Sequence, residues 1–259
     1  MAMPHKTTRG TIQYTSRKPG REGVERGREH FAITLHGDGA RTLRAQCEID
    51  DPPPVLRDVT LSLNAAWQPL DCFVRLTVAD KLVGSSWFRF TAHAIECEAN
   101  TVLEGRISQR VALASPAIGF GTHPIQADAM LCRMYDLGKG PGWQSFGELY
   151  MCSLDHRGAT GPLIFRHPIG VQLRFISRET VSVSAGTFAA LHFQIAENAN
   201  AAAAIAGAAV GHEVDDTANA PGKHPPYDLW CTADGDYVML KAEVTGYMMT
   251  AYELIKLER

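Results

Sequence analysis

Short runs in which apolar and polar residues alternate recur along most of the chain, broken by turn residues, and this two-residue period predicts antiparallel β-strands with one buried face. The clearest early pair is His30–His36 and Thr42–Ile49, joined by Gly37-Asp38-Gly39, a turn able to take positive φ. Alternation continues through Val55–Leu63, Leu70–Val78 and Val83–Cys97, interrupted by Asp51–Pro54, Gln68-Pro69 and Asp80-Lys81. In the last of these runs Phe88, Phe90, Ala92 and Ala94 fall on one face, expected to be the core face. Trp87, Arg89, Thr91, His93 and Ile95 fall on the other, a mixture that suits a polar-lined cavity wall, so Arg89 and His93 enter the set of candidate ligand contacts. Before the first hairpin, Gly10–Ser16 reads as a strand and the charged stretch Arg17–Glu29 as a mobile loop.

A strand over Thr101–Leu113 gives way to Ala114–Pro124, too rich in glycine and proline for regular structure. One helix is predicted after it, with Pro124 in its first turn, a loose apolar stripe of Ile125, Leu131, Met134 and Leu137, and Gly138–Gly142 to stop it. The second set of strands spans Ser145–Leu154, Leu163–Arg166, Val171–Ser177, Thr180–Gly186, Thr187–Ile195, Tyr227–Thr232, Tyr237–Val244 and Thr250–Leu257. Between Glu197 and His224 lies an alanine-rich insertion, expected to form a lid. The expected architecture is a single mainly β domain over 1–259: a tail at 1–8, a first β set at 9–113, loop and helix at 114–142, and a second set at 143–259 carrying the insertion 197–224. It forms an antiparallel curved sheet or open half-barrel, with the two sets either continuous or packed as two halves.

Composition adds exclusions more than assignments. The 259 residues are 45% hydrophobic and 20% charged, an ordinary globular balance. A net charge of −3 supplies no field for nucleic acid or an anionic membrane. No stretch reads as a secretory signal or a membrane span, so a cytoplasmic location is expected. Six cysteines without a CxxC pair are expected to be buried thiols.

The C-terminal third carries a Val183-Ser-Ala-Gly-Thr-Phe188 turn, an Asp228-Leu-Trp230 strand with Asp234 beyond it, and a Glu253-Leu254 return strand. In these it resembles a bacterial family of uncharacterised open β half-barrels that are similar in fold to periplasmic lipoprotein carriers. The resemblance implies a curved sheet around an apolar hollow. The chain departs from the carrier pattern in its alanine-rich insertion, and no export signal is expected at its start.

Catalytic fingerprints such as GxSxG, GxxxxGK[ST] and HExxH are absent, and Gly119-Phe-Gly121 is not followed by a third glycine, so no nucleotide or flavin cofactor is expected. Two clusters carry candidate chemistry. In the first, His123 stands at a helix start on a glycine-rich loop with Asp128 about one turn on, an acid/base pair at a pocket mouth or simply a helix cap; Phe120 is the ligand contact between the two glycines. In the second, Glu148, Tyr150 and Cys152 alternate onto one face, which would turn a carboxylate and a phenol into a cavity, with His156, Arg166 and His167 following. Trp143 and Trp230 join Arg89, His93, Arg166 and His167 as expected substrate-binding residues; Trp143, Trp230, Tyr237 and Tyr247 read equally as core or rim aromatics. His212, Glu213, Asp215, Asp216 and His224 lack metal-ligand spacing, and no metal is expected.

Three functions follow as expectations. The first is a cofactor-independent lyase or isomerase (retro-aldol, elimination or hydration type) using His123, Asp128, Glu148 and Tyr150 on a small aromatic or terpenoid-like molecule. The second is a non-enzymatic binding protein for an apolar metabolite. The third is an assembly module pairing through open sheet edges, and a homodimer through an edge strand is the assembly this architecture allows.

Overall fold

The computed structural model describes residues 5–167, 170–197, 227–245 and 248–259. Its strands in chain order are β1 (Lys6–Ser16), β2 (Glu25–Leu35), β3 (Arg41–Ile49), β4 (Val55–Leu63), β5 (Pro69–Val78), β6 (Lys81–Phe90), β7 (Ala94–Thr101), β8 (Gly105–Ala112) and β9 (Phe120–Gly121). After the helix α1 (Ile125–Leu131) and two 3-10 turns come β10 (Gly142–Phe146), β11 (Leu149–Met151), β12 (Phe165–His167), β13 (Val171–Val183), β14 (Gly186–Glu197), β15 (Tyr227–Thr232), β16 (Met239–Val244) and β17 (Thr250–Glu258).

Fourteen strands form one antiparallel sheet in the order β10-β13-β14-β15-β16-β17-β1-β2-β3-β4-β5-β6-β7-β8. The two β sets are therefore one continuous sheet, fused where β1 pairs with β17. The sheet does not close: its free edges are β8 and β10. That connectivity dictates what fills the hollow. The chain leaves the sheet at β8 and re-enters it at the opposite edge, so residues 113–141 must cross from one arm to the other. They do so across the concave face, where Phe120 packs on Phe88 and Phe90 of β6 and Tyr135 packs on Phe175 of β13 and Phe193 of β14. A small sheet, β12-β11-β9, lies with this crossing segment.

Burial follows the two-residue period that the sequence displays, with Val55, Val59, Leu61 and Leu63 of β4 inward and their neighbours half-buried or exposed. Two charged residues hold inward positions. Glu29 stands in phase with Phe31 and Ile33 on β2 and is fully buried; Arg57 stands in phase with Val55 and Val59 on β4 and is 1% exposed.

Glu29 fixes α1 to the sheet. A helix start leaves N–H groups without partners inside the helix, and here no side chain of the local loop caps them. Instead Glu29 Oε2 accepts from Ile125 N (2.8 Å) and from the Tyr14 hydroxyl (2.9 Å), while Oε1 accepts from Gln126 N (3.2 Å). Gln126 ties the same turn to the other arm of the sheet, accepting from Met239 N and donating to Tyr237 O, both at 3.0 Å.

Several expectations are corrected. Arg17–Glu29 is not a loop throughout: β2 begins at Glu25, because the alternation ending in Phe31 and Ile33 extends back through Glu29. The tail is shorter than expected, β1 starting at Lys6 to pair with Leu35. The run Val83–Cys97 is a hairpin, turning at Thr91–His93, where the Thr91 hydroxyl accepts from His93 N and Ala94 N. The α-helix ends at Leu131, with Leu137 in a 3-10 turn. Val171–Ser177 and Thr180–Gly186 are mostly one long strand, β13, paired throughout with β14. The insertion and its expected lid, the His212–His224 cluster and Tyr247 lie outside the described residues. Among the described residues, no helix is long and apolar enough to cross a membrane.

Glu29→Ala would leave two helix N–H groups and a phenol without a partner in a buried setting, at about 1–3 kcal/mol each when unrelieved. A net loss of about 3 kcal/mol is expected, read as a lower urea midpoint with an unchanged slope. A midpoint equal to that of the parent chain would show that Glu29 does not anchor α1.

Candidate functional site

Between the concave sheet, α1 and the loop Cys152–Pro162 lies a cavity of about 420 Å³, a size typical of small-molecule sites. Its apolar wall includes Ile49, Leu131, Leu149, Met151, Ile195 and Val244; its polar wall draws on residues far apart in sequence, among them Tyr14, Asp128, Tyr227 and Tyr252 at one side and Arg57, His156 and Arg157 at another.

Asp128 projects from α1 into this space, and its Oδ2 accepts the Tyr227 hydroxyl at 2.9 Å. Its surroundings are protein rather than bulk water, and that desolvation lifts its carboxyl to about 7, although the Tyr227 bond pulls the other way. Glu29, just behind the wall, is likewise raised to about 7 by burial, opposed by its bonds from Tyr14, Ile125 and Gln126 and reinforced by the charge of Asp128. Burial pushes the phenols of Tyr14, Tyr227 and Tyr252 upward, so all three stay protonated donors. Tyr14 and Tyr252 are cross-strand partners on β1 and β17, their rings edge-to-face at 4.7 Å.

Glu29, Cys47 and Arg57 occupy consecutive places in one cross-strand row of β2, β3 and β4. The thiol of Cys47 lies 3.7 Å from Glu29 Oε2 and, like those of Cys72 and Cys152, is raised by burial. All six cysteines are buried and unbridged.

The structure brings together part of what the sequence nominated. His123, Asp128, Tyr150 and His167 all line the cavity, as does His156. His123 adopts φ 78°, a left-handed conformation that a β-carbon disfavours. Its Nε2 lies 3.1 Å from the Ser153 carbonyl oxygen; that oxygen only accepts, so Nε2 carries a proton. The Tyr150 hydroxyl donates to Glu148 Oε2 at 2.9 Å, but the Glu148 carboxylate is ion-paired with Arg166 toward solvent, so Glu148 and Arg166 form a rim pair outside the cavity lining. Glu148 also precedes β11 rather than sharing a long strand face with Tyr150.

The remaining nominated contacts lie elsewhere. Phe120 is core, packed on Phe88 and Phe90. Arg89 is exposed and pairs with Glu96, and His93 is exposed in the β6–β7 turn. Trp143 is exposed on the edge strand β10. Trp230 points away from the cavity, stacked on His192 at 3.9 Å with Lys241 above its ring and its Nε1 donating to Glu179. Tyr14, Glu29, Cys47, Arg57, Tyr227 and Tyr252 were not nominated. The available signal was phase, since Glu29 and Arg57 are charged residues at positions where the alternation calls for apolar ones.

A carboxyl raised from its ordinary value holds its proton in the folded state when the unfolded chain has lost it. Stability is then full at low pH and falls as pH rises through the interval from about 4 to about 7. Asp128→Asn keeps an acceptor for Tyr227 and removes the titration, so the variant should gain on the parent in thermal melts across that interval, by an amount on the order of a few kcal/mol at pH 7.5. Parallel melting curves for the two proteins would contradict the shift.

No protein-family model matches the chain, and no curated protein matches it. Among solved structures, the chain is similar to a β-barrel-like protein of the domain of unknown function DUF1849 from Brucella abortus, at 12% identity and a TM-score of 0.55 over 97% of each chain. A second likeness, to a lipoprotein candidate from Parabacteroides distasonis, has 10% identity and a TM-score of 0.31, with 98% of this chain and 95% of that one aligned, and carries no argument. The similarity to the Brucella protein is one of fold, and it extends over nearly the whole chain rather than the C-terminal third alone.

Proposed function

We propose that the protein is a cofactor-independent lyase or isomerase that moves a proton on a small molecule held in the cavity, with Asp128 as the acid/base residue. The observation that carries this reading is the Asp128 carboxyl itself: it faces the cavity, is held by Tyr227, and is raised to about 7. A base is most effective when its pKa lies near the working pH, and a carboxyl raised toward neutrality is a stronger base than one at its ordinary value.

The neighbouring groups suit the rest of such a step. Deprotonation next to a carbonyl, or retro-aldol cleavage, builds negative charge on the carbonyl oxygen. Tyr252, kept protonated by burial, supplies a hydroxyl group in the same cavity that can donate to that oxygen. His123 lines the same cavity from the loop before α1, and its imidazole suits transfer of the second proton in an elimination or hydration. The apolar wall keeps water from quenching the charged intermediate and accommodates an aromatic or terpenoid-like skeleton. Relative to the four residues nominated from sequence, this reading keeps His123 and Asp128, moves Tyr150 to the wall and Glu148 to the rim, and adds Tyr227.

The test is deuterium incorporation from D2O into a panel of small aromatic and terpenoid ketones and β-hydroxy ketones, followed by mass spectrometry. Exchange should depend on a group titrating near pH 7 and fall at least 100-fold in Asp128→Asn, the usual scale for removal of a general base. In Tyr227→Phe the bond that lowers the Asp128 pKa is gone, so the acid limb of the pH–rate profile should move to higher pH. Ligand binding with no exchange in the parent chain would assign the cavity to capture of an apolar metabolite instead.

A further inference from the structure

The polar wall of the cavity has two unlike ends, and only one has its charge accounted for. Glu29 and Asp128 stand at the helix end, bonded by N–H groups and phenols. At the other end Arg57 is 1% exposed on the inner face of β4 and lines the cavity. Its two terminal nitrogens donate to the Cys152 sulfur (3.1 Å) and to the carbonyl oxygen of Gly158. Neither acceptor carries a formal charge. Its Nε is buried with no hydrogen-bond partner among the described residues, and no described carboxylate lies within ion-pairing distance of it.

Such a group is expensive to leave as it stands. A guanidinium cannot shed its proton, and burying it without a counter-charge costs several kcal/mol in general. Glu29 would be the obvious partner, but the sheet keeps it two strands away, with Cys47 between, and its carboxyl is occupied at α1. The surroundings also make room for the cation: Gly158, at φ 65°, passes so close that a β-carbon there would fall within 2.6–2.8 Å of the guanidinium. Arg157 contributes a second cation to the same end, its terminal nitrogens donating to the carbonyl oxygens of Asp51, Pro52 and Pro53 while its Nε is buried with no hydrogen-bond partner among the described residues, and His156 lines the cavity beside it. Asp155, which also lines the cavity, has its Oδ1 taken by Arg157 N and Ala159 N.

We infer that the molecule bound in the cavity carries an anionic group, a carboxylate or sulfonate, seated against Arg57, with its apolar body reaching toward Asp128. The inference rests on the reading of the cavity as a ligand site and adds the substrate class: an organic acid rather than a neutral ketone or terpene. It also sets the orientation, since the anion is drawn to the Arg57 end, leaving the remote carbon skeleton beside the acid/base residue.

Two naphthalene fluorophores of similar size separate the possibilities, 1-anilinonaphthalene-8-sulfonate and the uncharged N-phenyl-1-naphthylamine. The full-length parent chain should bind the sulfonate at least 10-fold more tightly, and benzoate should displace it where benzyl alcohol does not. Arg57→Met should abolish the preference while retaining the uncharged probe, and Arg57→Lys should retain part of it. Equal affinity for the two probes in the parent chain, or displacement by benzyl alcohol as effective as by benzoate, would overturn the anion site and leave the cavity intact. Binding of neither probe would overturn the cavity as a ligand site as well. The parent-chain comparisons decide the matter even if the Arg57 variants fail to fold.

Discussion

The grip of the Glu29 carboxyl on the first turn of α1 is the contact on which the arrangement of the interior depends. An open sheet of fourteen strands has a concave face that must be filled, and the segment that fills it enters from one edge and leaves at the other. Packing of Phe120 and Tyr135 against either arm gives that segment a place, but apolar contacts alone do not fix a helix in rotation. Hydrogen bonds from Ile125 and Gln126 to a carboxyl built into β2 do, and they set the face of α1 that looks into the cavity. Asp128 is on that face, one turn further along. The group that anchors the helix thus also determines where the candidate acid/base group points, while burial raises both carboxyls toward neutrality.

Most of the shell was legible because alternation is a local signal. The hairpins from β2 to β5 and the final meander from β15 to β17 follow from apolar residues every second position and from turns such as Gly37-Asp38-Gly39 and Ala233–Asp236. The misreadings have different causes. In Arg17–Glu29 composition was weighed over phase, and charge hid the start of β2; at Thr91–His93 the alternation itself runs on through the turn between β6 and β7 and hides it. In the small sheet, β11 and most of β12 fall within the expected strands Ser145–Leu154 and Leu163–Arg166, whereas β9, two residues long, owes its existence to a partner elsewhere in the chain.

The site was legible only in part, for a related reason. Asp128 and His123 advertise themselves by lying next to a helix start. Tyr227, which meets Asp128 from 99 positions away, does not. Neither does Glu29, which caps a helix 96 positions downstream. The pattern that marks such residues is weak but physical: a charged side chain in step with the apolar positions of a strand must be buried, and a buried charge must be bonded to something. Applied to Arg57, the same reasoning finds hydrogen bonds but no opposing charge among the described residues.

Registered pairing also turns the inner wall into a grid. Each inward side chain occupies a cell whose spacing across the strands, about 4.8 Å, is set by backbone geometry and is indifferent to what the side chains would prefer. Glu29 and Arg57 sit two columns apart, roughly 10 Å from backbone to backbone, and no rotation of either side chain changes that. In a flexible loop, two such groups would collapse onto each other and neutralise. Held in a lattice, they remain a separated pair of opposite poles, and the polarity of the chamber becomes a property of the fabric rather than of its furnishings. Because the fabric is main chain, the cells can be refilled one at a time without unpicking it, which is how a shell can persist at 12% identity while the chemistry inside it is free to differ.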